Sequence, residues 1–234
     1  REIREFAGEP SYLGLDMSLT RDMTGAVLCI PVAREDYDGD ADHEEAKSYY
    51  LFPMLWLTQA AAQRWGDKVP FAEWGQSGHL RIIKGPKIDF PTVRADIVEA
   101  FGETDVQALT YDATYAVETA EKLSETLGCE QIQFRQTLME YAEPTQMFER
   151  LLSLGLLRHP DNHVLNWQAG HVEVTIPDRS GNYRPVKPQS SDKSNSREAH
   201  KTIDGIQAAI MALREARKFE AYECYYEDNE LEAF

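Results

Sequence analysis

Three short runs of apolar residues open the chain, at 11–18, 25–32 and 49–57, parted by a turn at 20–24 and an acidic stretch at 36–45. Runs of that length bounded by turn formers predict strands, and the short connections predict an antiparallel meander. Helical spacing follows near 58–66 and 71–78, then a short stretch, 80–83, stops at the turn Lys84-Gly85-Pro86. After Pro91 the pattern changes. Residues 92–101 carry Val93, Ile97, Val98 and Phe101 on one helical side, 106–111 reads as a strand, and 117–127 as a helix. Residues 132–136 read as a strand and 147–157 as a helix. Strand–helix–strand order predicts parallel neighbours, so the fold class is α/β: a mixed central sheet, antiparallel meander plus parallel strands, flanked by helices. Residues 171–176 alternate like an edge strand. The stretch 177–195, with three prolines and four serines, reads as a flexible loop, and a last helix is expected over 196–218. One domain is expected over 11–217, with 1–10 as a linker and 218–234 as a loose acidic tail.

Three aspartates sit where local preference disfavours them. Asp16 falls within the first strand, where alternation puts Leu13, Leu15 and Met17 on one face and Tyr12, Gly14, Asp16 and Ser18 on the other. The small neighbours leave room for an ion; the plainer reading is the solvated face of an edge strand. Asp112 directly follows the strand 106–111, and ligands of open α/β sheets sit at carboxyl ends of strands. A helix cap is the plainer reading there. Asp204-Gly205, two poor helix formers, adjoin the apolar stripe Ile203, Ile206, Ile210 and Leu213 in the first half of the last helix. A first-turn aspartate favoured by the helix dipole is the alternative. Taken together, the three could converge. Carboxylates sharing a site repel unless cations neutralise them, and oxygen-only ligation suits Mg²⁺ or Mn²⁺. A pair of such ions about 3.5–4 Å apart activates water and stabilises a leaving oxygen in phosphodiester hydrolysis.

Composition narrows the field. At 42% hydrophobic and 27% charged, the 234 residues match a soluble globular protein, and no run approaches the ~20 apolar residues of a membrane span. Cys29, Cys129 and Cys224 are too scattered for a disulfide framework or a zinc knuckle. The net charge of −16 argues against indiscriminate adhesion to nucleic acid. Distribution qualifies that. Six of ten residues from Asp36 to Glu45 are acidic and no basic residue follows Lys218, whereas 179–201 holds six basic residues and two acidic ones. Arg179, Arg184, Lys187, Lys193 and Arg197, with Lys201 beyond them, are therefore the candidates for contacting DNA phosphates.

The run Gly14-Leu15-Asp16-Met17-Ser18, with Arg21-Asp22-Met23-Thr24, resembles the first strand and turn of the nuclease domain in large terminase subunits of tailed bacteriophages. Lys201-Thr202-Ile203-Asp204-Gly205-Ile206-Gln207 and the alanines after it resemble that family's closing helix. Tyr111-Asp112 falls where the middle carboxylate is expected, and His159-Pro160 with Asn166-Trp167 resembles the segment before the last strands. The resemblance implies a ribonuclease H-like fold and an endonuclease site in which Asp16, Asp112 and Asp204 hold two Mg²⁺ or Mn²⁺ ions, with Asp22 at a secondary acidic position. It implies cleavage of concatemeric double-stranded viral DNA during genome packaging in the host cytoplasm, beside an ATPase motor domain, a portal and a small terminase subunit. Thr202 stands where the family often has Arg or Lys. No Gly-Lys dipeptide, hence no P-loop, occurs, and the start Arg1-Glu2-Ile3 reads as an isolated C-terminal piece.

Two rival readings accompany this one: a ribonuclease H or junction resolvase, and a non-catalytic docking module of the packaging machinery. Other signals are set aside. Asp36-x-Asp38-x-Asp40 lacks the calcium loop's Gly, with Ala41 in its place, and its closing Glu, with Lys47 there. His159-x-x-x-His163 reads as a surface turn, since Pro160 disfavours a zinc-binding helix. Phe52, Trp56, Trp65, Phe71 and Trp74 read as core rather than base-stacking residues.

Overall fold

The computed structural model describes residues 1–20, 22–40, 43–188 and 201–229, with side chains as far as Arg217. From the N-terminus the chain forms β1 (Pro10–Asp16), β2 (Thr24–Ala33), β3 (Lys47–Thr58), α1 (Gln59–Trp65), α2 (Phe71–Gln76) and β4 (Arg81–Ile83). It continues through α3 (Phe90–Phe101), β5 (Asp105–Asp112), α4 (Ala113–Leu127), β6 (Glu130–Phe134), α5 (Leu138–Ser153) and β7 (Leu157–Arg158). The last elements are α6 (His163–Ala169), β8 (Glu173–Val174), β9 (Pro185–Val186) and α7 (Asp204–Asn229).

Strands β1, β2 and β3 pair antiparallel, as the meander predicts, while β5 and β6 continue the other side of β1 in parallel. The sheet order is β4-β3-β2-β1-β5-β6, with β7 also on β3. β1 is thus central. The solvated-edge reading of Asp16 fails, because β1 is buried on both faces.

Each face has its own helical cover. Leu13, Leu15 and Met17 turn toward Val93, Ile97 and Phe101 of α3 and Ala116, Ala120 and Leu123 of α4. On the other face Tyr12 and Val27 meet α7, whose Ala208, Ala209, Ala212 and Ala216 are buried, and Met147 and Leu151 of α5. Alanines let α7 lie close to the strands. A Cβ on Gly14 would come within 1.9 Å of the Ala208 carbonyl oxygen, so the backbones meet where a side chain cannot fit. Every residue from 202 to 213 is buried, the mark of a helix threaded through the core rather than laid upon it.

Several expectations need correction. The segment read as a linker packs inward: Ile3–Phe6 form a 3-10 turn and Phe6 is buried against Tyr50 and Phe52. α5 begins nine residues before the expected start, because Pro144 sits inside it rather than bounding it. α6 was not foreseen, since Pro160 hid a start in which the Asn162 side chain accepts from the amides of Val164 and Leu165. The edge strand at 171–176 shrinks to β8, and the loop after it returns as β9, forming a separate two-stranded hairpin. α7 starts at Asp204 rather than 196 and runs on to Asn229, through much of the expected loose tail.

Candidate active site

Asp16 ends β1, and its cross-strand partner is Gly25. A Cβ on Gly25 would meet the Asp204 backbone at 3.0 Å, so this glycine lets the start of α7 settle beside Asp16. On the other side of β1, Leu15 is in register with Tyr111, which brings the next residue, Asp112 at the end of β5, alongside. Asp22 lies in the β1–β2 turn, pinned where Thr24 Oγ1 accepts from the Ser18 amide and donates to the Ser18 carbonyl. All four carboxylates line one cleft of about 480 Å³. The front, middle and back of the polypeptide meet there.

Two of these aspartates occupy helix starts, where such side chains usually cap. Asp112 is not spent that way, and Asp204, which bonds its own backbone and the Thr202 side chain, is so spent only in part. Asp112 stands at the N-cap position of α4, but its side chain makes no capping hydrogen bond. At α7 the Gly205 amide donates instead to Oε1 of Gln168, a buried side chain of α6. The Gln168 amide nitrogen donates to Thr202 Oγ1, and the His171 ring bonds the Thr202 carbonyl. The Asp204 carboxylate is left facing the cleft, and its Oδ2 is buried without a hydrogen-bond partner. Gln207, one turn along α7, donates to Gln136 Oε1 and the Tyr141 hydroxyl.

The electrostatics follow from burial. Desolvation, then the charges of Asp204, Asp112 and Asp22, push the Asp16 carboxyl well above the usual range. Burial likewise raises Asp204 to about 6, against the pull of Lys187. Lys187, just after β9, reaches into the cleft with its ammonium 2.8 Å from Asp22 Oδ2 and 3.6 Å from Asp204 Oδ1. Burial alone would lower Lys187, but these carboxylates outweigh it and hold its pKa up. A cationic group therefore already sits among the acids, supplied by the hairpin. Among the described residues no three acidic, imidazole or thiol side chains are placed close enough together to hold a metal ion. The acids share a cleft lined by oxygen donors, without thiol or imidazole, a donor set suited to hard divalent ions.

Comparison with known sequences decides the lineage. The sequence model for the terminase large subunit, endonuclease domain, matches residues 1–220. The chain belongs to that family. It is 28% identical over 224 residues to the large terminase subunit of Enterobacteria phage HK97, covering 91% of this chain and 40% of that protein. It is 23% identical over 225 residues to protein YmfN of Escherichia coli strain K12, covering 93% and 46%. The crystal structure of the HK97 bacteriophage large terminase superposes with a TM-score of 0.67 at 25% identity, over 90% of this chain and 42% of that one. The fold is that of terminase nuclease domains, ribonuclease H-like, and the chain spans less than half the length of these relatives.

Of the basic residues singled out in this terminase nuclease domain, Arg184 and Lys187 line the cleft. Arg184 also donates to the Gln136 carbonyl. Arg179 lies exposed at the hairpin turn and Lys201 precedes α7, neither lining the cleft; Lys193 and Arg197 fall outside the described residues. Gln168 and Gln207, which support the start of α7, were not singled out. Gln207 had a signal, three residues after Asp204 on a predicted helix; Gln168 had none, since its partnership with α7 spans 37 residues. The set-aside histidines are apart in role: His163 stacks on His79 at 4.1 Å, while His159 Nδ1 accepts from the Asn162 amide. Phe52 and Trp56 are buried in the core under α3 and α4, and Phe71 is buried in a second cluster against which Trp65 and Trp74 pack, as expected.

Proposed function

We propose that this domain is a divalent-metal-dependent endonuclease that cuts double-stranded viral DNA, using Asp16, Asp112 and Asp204 to hold two Mg²⁺ or Mn²⁺ ions and Asp22 as an outer acidic partner. Such ions, when bound, supply a water activated for attack and charge stabilisation at the departing 3′ oxygen. The chain's own groups do the rest. Asp16 and Asp204 are both desolvated in the cleft, and Asp204 Oδ2 is left without a hydrogen-bond partner. Arg184 and Lys187 set positive charge on the hairpin side, where a phosphodiester would enter. Gln207, held by Gln136 and Tyr141, keeps the wall beside Asp204 rigid and polar.

The observation that carries this reading is the buried, unpartnered Asp204 Oδ2 in a cleft shared with three further carboxylates. In the larger assembly the reading extends to trimming concatemeric DNA at the start and end of packaging in the host cytoplasm, with an ATPase domain, portal and small subunit as partners. The test is plasmid nicking with and without Mg²⁺ or Mn²⁺. Wild type should nick with either metal and stop in EDTA, and Asp16→Asn or Asp204→Asn should lose at least a hundredfold in rate, in line with removal of a metal ligand. Metal-independent nicking, or undiminished nicking by both variants, contradicts it.

A further inference from the structure

Tyr115 is at odds with both its backbone and its surroundings. Three residues after Asp112, it adopts φ 63° and ψ −6°, a left-handed conformation that glycine or asparagine takes readily and tyrosine rarely does. With Thr114 at ψ 109°, it breaks the helix immediately after the strand, so that regular α4 starts at buried Ala116. The kink turns the chain so that Asp112 does not cap α4. A bulky ring held this way ordinarily repays the strain by burial. Tyr115 does not: it is 55% exposed and makes no hydrogen bond or ring contact with another described residue. It lines the same cleft as Asp16 and Asp112, so its exposed side chain belongs to the wall of the acidic site. Strain that local packing does not repay, kept at the rim of a site, is the pattern of a group positioned for a ligand.

The ligand chemistry follows from what flanks the ring. A DNA strand whose phosphodiester reaches the carboxylates must lay the neighbouring nucleotide against the cleft mouth. An exposed aromatic face offers stacking to any base or the apolar side of a deoxyribose, without sequence preference. Resting on the nuclease reading above, we propose that Tyr115 is a nucleotide-contacting residue, packing its ring on the nucleotide next to the bond that is cut and so setting substrate affinity and register.

Three variants separate ring from backbone. Tyr115→Phe keeps the ring; Tyr115→Gly suits the left-handed backbone and removes it; Tyr115→Ala removes it and keeps the strain. Each is measured for binding a labelled duplex in Ca²⁺, for KM in Mn²⁺-driven nicking, and for the rise in Tm on adding Mn²⁺ without DNA. Tyr115→Phe should stay within about threefold of wild type. Tyr115→Gly and Tyr115→Ala should weaken duplex binding and raise KM roughly tenfold to a hundredfold, the scale of one lost stacking contact, while the Mn²⁺-induced rise in Tm is unchanged. Tyr115→Gly binding and cutting like wild type overturns the inference alone. So does loss of the Mn²⁺ response in Tyr115→Gly, which would mean that the residue acts through Asp112. A wild-type protein that neither nicks DNA nor responds to Mn²⁺ overturns the nuclease reading itself, and this inference with it.

Discussion

Asp204 occupies the first turn of a helix, the place where an aspartate ordinarily serves its own backbone. Here a glutamine from another helix takes the Gly205 amide, and Asp204 Oδ2 is left without a hydrogen-bond partner. Asp16, Asp112 and Asp204 could each be picked out of the sequence because each offends a local rule. The residues that make the offence tolerable could not, since Gly25 and Gln168 act through contacts distant in sequence. The same burial sets a pH dependence. Below an ordinary carboxylate pKa near 4, Asp16 and Asp204 are neutral whether the chain is folded or not. As pH rises through about 6 the folded site must hold the Asp204 charge that the unfolded chain leaves in water, so this contribution to stability is lost, and the raised Asp16 acts in the same direction. For Asp204 the effect is on the order of 1–3 kcal/mol. In EDTA, Asp16→Asn should therefore melt several degrees above wild type at pH 8, with the gap shrinking toward pH 4, as followed by thermal denaturation. A gap that widens at low pH contradicts the assignment. Lys187→Met should do the reverse, lowering the Tm in EDTA at pH 8 by removing the ammonium between Asp22 and Asp204, with Mn²⁺ restoring most of the loss.

At the scale of elements, strands were easier to read than helices. β1, β2, β3 and β5 carry alternating or continuous apolar runs bounded by turns, and each lies within two residues of its expected position. The helices near prolines were misread in two ways. Helix α5 starts at Leu138, ahead of an interior Pro144, and Pro160, read as disfavouring a helix at His159–His163, is followed by one that Asn162 starts three residues before Leu165. Helix α7 was placed eight residues early, because the apolar stripe gives the face of a helix but not its cap. Its docking depends on close approach at two points. Gly14→Ala should destabilise by about 3 kcal/mol or more, since a methyl group at 1.9 Å from the Ala208 carbonyl forces α7 off the sheet. Gln168→Ala should cost about 1–2 kcal/mol by uncapping α7. Chemical denaturation reads both directly. A neutral Gly14→Ala would mean that α7 does not sit where the acidic site requires.

For the molecule as a whole, a mixed sheet flanked by helices follows from the strand–helix pattern, while the sheet order, with β1 at its centre, does not. The separate hairpin was a further feature of the whole molecule that the sequence hid. A segment rich in proline and serine reads as loop, yet its Asp178 side chain accepts from the amides of Ser180 and Asn182, closing a turn that returns Lys187 to the cleft. That return matters in a chain of net charge −16, whose site gathers acids around one lysine. The hairpin supplies local neutralisation, and divalent ions would supply the rest. Diffraction from crystals soaked in Mn²⁺ tests this most directly. Anomalous peaks are expected between Asp16, Asp112 and Asp204 at coordination distances of about 2.1 Å, with Lys187 drawn off Asp204. A fully soaked crystal with no peak among these carboxylates and Lys187 still in place would contradict it.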